Sequence, residues 1–129
     1  MPVTYLDSSA LVKLAVEETE SAALRRHLRR RSLVSSALAR TEVLRALALE
    51  GEEGMARGRA VIGSVELVRV SDRVLNAAGA LLPSDLRSLD AIHLATAKQL
   101  GSDLAQVVTY DNRMLDAARH LAMRTASPS

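Results

Sequence analysis

Val3-Thr4-Tyr5-Leu6-Asp7-Ser8-Ser9-Ala10-Leu11-Val12-Lys13-Leu14 decides the fold. Its first four residues form an apolar, β-prone run that Asp7 closes, and a helical pattern carrying Leu11, Leu14 and Ala15 on one face follows. Val107-Val108-Thr109-Tyr110-Asp111 repeats the device late in the chain: an apolar run, a closing acid, then a helix. Two short buried strands, each followed by a helix, predict a parallel sheet covered on both faces.

Working outward, strands are expected at 3–6, 33–35 and 106–110. The alternation Val65-Glu66-Leu67-Val68-Arg69-Val70 predicts a half-exposed strand, and 123–125 an edge strand. Helices are expected after a Ser8 or Ser9 cap, after Thr19 (with Leu24 and Leu28 at i,i+4), over 37–50 and over 55–63. Gly51-Glu52-Glu53-Gly54 reads as a break between the last two. Further helices are expected from a Ser71 or Asp72 cap to Leu82, over 89–100 behind a Ser88 cap, and over 112–121 with Asn112 as a candidate cap. Residues 1–125 are read as one domain and 126–129 as a short tail. Right-handed crossovers bring every strand C-terminus to one edge of the sheet, where open α/β sheets bind ligands. Asp7 and Asp111 belong to that edge.

Composition narrows the chemistry. The 129 residues include no Cys, Phe or Trp, so Ala, Leu and Val must fill the core. Without cysteine there are no disulfides or thiolate metal sites, and three scattered histidines argue against zinc. No apolar stretch reaches the ~18 residues that span a bilayer, and Met1–Asp7 lacks the form of a signal peptide. A cytoplasmic protein is expected. The net charge of +2 is small, so global charge says little. Arg25, Arg26, Arg29, Arg30 and Arg31 form a local basic cluster, read as a solvated helix face or a nucleic-acid or partner patch.

Asp7, Glu42, Asp90 and Asp111 are the candidate catalytic acids. Taken singly, each has a bland reading: Asp7 as a helix cap, Asp90 as a complement to a helix dipole, Glu42 as solvated or paired with Arg40 or Arg45. Gathered and ionised, four carboxylates repel, so such a cluster holds protons or metal. All-oxygen ligation suits magnesium, or manganese, which takes substrate phosphate oxygens as well. The chemistry that follows is attack of an activated water on a phosphodiester. Asp116 lies about one turn beyond Asp111. Arg113 reads as solvated and His93 as a core histidine or one bonded to the sheet.

Four blocks carry a resemblance: Tyr5–Leu14, Thr41-Glu42-Val43-Leu44-Arg45-Ala46, Ser88-Leu89-Asp90-Ala91-Ile92-His93-Leu94-Ala95-Thr96-Ala97 and Thr109-Tyr110-Asp111. In order and spacing they resemble PIN domains, more narrowly the VapC-type toxins of bacterial toxin–antitoxin pairs, from residue 3 to about 122. The resemblance implies a PIN-like α/β/α sandwich on a central, mostly parallel sheet. It implies a Mg2+-dependent (Mn2+ also suitable) endoribonuclease acting on an RNA substrate. Asp7, Asp90 and Asp111 would be metal ligands, and Glu42 would orient or deprotonate water. Ser9 and Thr109 match hydroxyl positions that steady the acids, with Asn112 and Asp116 as further supporting candidates. A cognate VapB-type antitoxin and a homodimer are also implied, with the apolar residues of the helices near 37–60 as interface candidates. The rival is a non-catalytic α/β module that binds RNA or protein. Ser9 stands where a haloacid-dehalogenase-type phosphatase needs a second Asp, and the only lysines, Lys13 and Lys98, lie in helices, unlike those of a phosphorylation receiver.

Overall fold

The computed structural model describes residues 2–129. Strands β1 (Val3–Leu6), β2 (Ser32–Ser36), β3 (Glu66–Val68), β4 (Leu104–Val108) and β5 (Thr125–Ala126) form one sheet in the order β3-β2-β1-β4-β5. Every pairing is parallel. Helices α1 (Ser8–Ala15), α2 (Ser21–Leu28), α3 (Ala39–Leu47), α4 (Gly51–Gly63), α5 (Asp72–Gly79), α6 (Ser88–Gln99) and α7 (Asn112–His120) complete the chain, with 3-10 turns at Ala48–Glu50 and Gly101–Asp103.

Strand alternation divides the core between the two faces. Leu6 and Val108 point to one side, where Ala10, Leu11, Leu24, Leu28, Val43 and Leu47 of α1, α2 and α3 cover them. Tyr5 and Val107 point to the other, against Val34 and Ala97. There α6 meets α7 through Leu94, Met114, Ala117 and Ala118, and α5 packs on α6. The α/β/α layering expected from the sequence is therefore present. The three strands β1, β2 and β3 step one way and β4 and β5 the other, so order reverses between β1 and β4. Pairing of Leu6 with Val108 sets the two chain exits side by side at that switch.

Several boundaries differ from the sequence reading. Asp7, not Ser8 or Ser9, caps α1, accepting from the Ala10 amide; Asp111, not Asn112, caps α7. Arg87 holds the cap position of α6 without a side-chain cap, and Ser88 is already helical. The break expected over 51–54 contracts to Gly51, whose φ of +73° suits glycine; α4 begins there and runs through Gly54. Later in α4, a Cβ on Gly58 would stand 2.7 Å from Leu47 Cδ1, so glycine lets α3 and α4 approach closely. The helix expected to reach Leu82 ends at Gly79. The alternating stretch 65–70 pairs only over Glu66–Val68 because β3 is an edge strand. At the C-terminus, Ala126 lies in β5, and the remaining tail is tied down: Ser127 Oγ donates to the Thr109 carbonyl at 2.6 Å and Tyr110 Oη to the Pro128 carbonyl at 2.7 Å.

Candidate active site

Asp7 leaves β1 buried, and hydrogen-bond donors surround it. Ser9 Oγ donates to Oδ1 at 2.7 Å, the Ala10 amide to Oδ1 at 3.1 Å, and Thr109 Oγ1 to Oδ2 at 2.6 Å. Ser9 Oγ accepts in turn from the Tyr110 amide at 3.0 Å, and Thr109 Oγ1 from the Asp111 amide at 3.1 Å. The two hydroxyls thus stitch the exits of β1 and β4 together. Burial pushes the Asp7 carboxyl above its ordinary range, and the hydroxyl and amide donors offset that only in part. The cap and site readings of Asp7 are compatible: it caps α1 and still lies at the switch edge of the sheet.

Glu42 projects from the first turn of α3. Its Oε1 accepts from Ser8 Oγ and His93 Nε2, each at 2.6 Å, not from Arg40 or Arg45. His93 is buried in α6, and its Nδ1 lies 2.7 Å from Tyr5 Oη. Burial raises the Tyr5 phenol far above its ordinary value, so it keeps its proton. With Tyr5 donating to Nδ1, the imidazole presents Nε2–H to Glu42. Burial alone would raise the Glu42 carboxyl; the hydrogen bonds from His93 and Ser8 outweigh it and hold the group below the ordinary range.

Asp90, in the first turn of α6, and Asp111, after β4, share one cation. Arg87 Nε donates to Asp90 Oδ2 and Arg87 Nη2 to Asp111 Oδ2, both at 3.2 Å. Asp111 Oδ1 meanwhile accepts from the Arg113 and Met114 amides. Glu42 and Asp90 line a common cavity of about 310 Å³ with Arg87, Ser88 and Leu89. The exposed Asp116 lines a neighbouring cavity of about 520 Å³ with Asp85, Arg87 and Arg113. Asn112 is exposed in the first turn of α7.

Among the described residues, no three His, Asp or Glu side chains are close enough to form a ready-made metal cage. The donor set nonetheless fits magnesium, which binds through one or two carboxylates and completes its shell with water and phosphate. A cation is already at home between Asp90 and Asp111, in the form of the Arg87 guanidinium. Burial and the bond to Tyr5 of β1 bear out the reading of His93 as a core, sheet-bonded histidine, but three partners of the acids were missed: Arg87, Ser8 and His93 toward Glu42. Two carried a helical signal, since Arg87, Asp90 and His93 recur at i,i+3 along one side of α6.

A family model described as "PIN domain" matches residues 4–120. The chain belongs to the PIN-domain family. Among curated relatives, it is 58% identical to ribonuclease VapC46 of Mycobacterium tuberculosis, over 100% of both chains. It is 38% identical to ribonuclease VapC47 and 41% to ribonuclease VapC35 of the same species, over 96% of each chain. These relatives place it in the VapC branch of the PIN domains. Solved structures share the fold at low identity. VapBC2 from Rickettsia felis, bound to a promoter DNA fragment, gives a TM-score of 0.73 at 10% identity, covering 98% of this chain and 100% of that one. VapC20 of M. tuberculosis, described as a Sarcin-Ricin loop cleaving toxin, gives 0.71 at 14%, covering 88% and 94%.

Proposed function

We propose that this PIN domain is a magnesium-dependent endoribonuclease, the toxin of a VapBC-type pair, neutralised by a cognate antitoxin. One observation supports the reading: Asp7 and Asp111 leave adjacent strands at the sheet's switch edge, Ser8 beside Asp7 donates to Glu42 of α3, and Arg87 joins Asp111 to Asp90 of α6. Residues 1–125 act in this reading as one catalytic domain. The relatives' ribonuclease names and the VapB–VapC complexes among the fold neighbours support the substrate class and the partner.

Asp7, Asp90 and Asp111 would hold the cation. When bound, a hard divalent cation supplies Lewis acidity toward a phosphodiester and makes water a better nucleophile. Glu42, kept ionised by His93 and Ser8, accepts the proton of the attacking water. Ser9 and Thr109 fix the Asp7 carboxylate and keep it from turning away. Asn112, next to Asp111 in the chain, and Asp116, which shares a cavity with Arg87, would support that site. We further assign the protein to the cytoplasm and to a homodimer; Leu49, between α3 and α4, is 96% exposed and belongs to the helical region expected to form the interface.

The test is RNA cleavage with and without Mg2+ by the purified chain and by Asp7→Asn and Asp90→Asn. Loss of cleavage in both variants, with binding of uncleaved RNA retained, supports the nuclease. Full function in Asp7→Asn would instead make the protein a binding module.

A further inference from the structure

The open half of the site brings its own counter-cation. Arg87 stands at the cap position of α6 with extended backbone (φ −64°, ψ 149°), and its side chain makes no cap bond. A guanidinium has no acceptor to offer the helix amides; it spans Asp90 Oδ2 and Asp111 Oδ2 instead, at 3.2 Å each. The arginine side chain is 60% exposed, against 14% for Asp90 and 29% for Asp111. It therefore covers the two carboxylates from the solvent side. Asp111 has little choice of oxygen to offer, because its Oδ1 is committed to the backbone amides of α7. At Asp111 a dication would need the oxygen that Arg87 now uses, and at Asp90 it would meet the same guanidinium against Oδ2.

We infer that Arg87 is a built-in competitor for the divalent cation, so that metal binding at Asp90 and Asp111 must displace its guanidinium. The inference rests on the metal-binding reading above. Exposed ion pairs are weak and screened, so the dication wins, but at lower apparent affinity than the bare acids would show. The arginine then sets how much free Mg2+ is needed to load the site. Lysine cannot replace it fully, since a single ammonium does not span two carboxylates as the planar fork does.

Calorimetric titration of Mg2+ into the full chain at low ionic strength tests this without any activity readout. Arg87→Gln is expected to bind Mg2+ about 3- to 10-fold more tightly than the parent, the range that losing two exposed pairs allows. Arg87→Lys should fall between them. Arg113→Gln removes an equal charge from the neighbouring cavity, where no side-chain ion pair joins it to either acid. It should shift affinity much less. Equal or weaker binding by Arg87→Gln, or the same tightening by Arg113→Gln, overturns the inference while leaving the metal site standing. No Mg2+ binding by either the parent or Arg87→Gln would sink the metal-binding reading itself, and this one with it.

Discussion

The two halves of the site hold the same kind of group by opposite means. On the inner side, Asp7 and Glu42 are held by hydroxyls, an amide and an imidazole from α1, the exit of β4 and α6. On the outer side, one exposed arginine spans Asp90 and Asp111, and Asp111 caps α7 with its other oxygen. Directed hydrogen bonds in a buried setting fix geometry and shift proton affinity; an exposed ion pair does neither strongly. The inner half is thus the more firmly fixed frame, and the outer half is the part that would exchange partners on binding a dication.

The sharpest break of this comparison is Glu42→Gln. If the inner carboxylate is the proton acceptor, cleavage at saturating Mg2+ should fall by about 10²–10⁴-fold, measured as kcat on a defined RNA. Next comes His93→Asn, which removes the imidazole that keeps Glu42 ionised. Activity should drop by about 10–100-fold, as for other losses of an orienting partner. The acid limb of the pH–rate profile should move to higher pH, because Glu42 loses the interaction that lowers its proton affinity. An unmoved limb would mean that His93 merely fills the core.

Thr109→Val sharpens the contrast through stability. It strips a donor from a buried carboxylate and should cost about 1–3 kcal/mol in denaturant unfolding. Asp111→Ala, in the outer half, should lose about 0.5–2 kcal/mol, chiefly from the α7 cap. Asp7→Asn should go the other way in chelator. The folded state raises the Asp7 proton affinity, so the ionised residue costs stability as pH rises above the unfolded carboxylate range. At neutral pH a neutral isostere should then melt no lower than the parent. A lower Tm would show that the surrounding donors outweigh burial.

Much of this was legible in the chain. The strand–acid echoes at Asp7 and Asp111 announced a parallel sheet with acids at the C-terminal ends of its strands, because short apolar runs followed by helices have few other ways to be buried. Boundaries were read less well at caps: Ser8, Asn112 and Ser88 looked like capping residues by type, yet Asp7 and Asp111 do the capping, and Arg87 stands before α6 without a cap bond. Residue type states which side chains can cap, while the trajectory of the preceding strand decides which one reaches the amides. The partners of the acids were nearly invisible. Glu42 had Arg45 within helical reach at i,i+3, but its side chain turns to His93, 51 residues away.

By itself, the amino-acid order determined the alternation of strands and helices, the residues able to bear charge at the sheet edge, and the family. Those properties are written in local periodicity and residue type. Only tertiary structure decided that Tyr5, His93, Ser8 and Glu42 form one chain of hydrogen bonds, and that Arg87 spans Asp90 and Asp111. Such pairings depend on strand order and helix docking, which bring together groups that no local pattern connects.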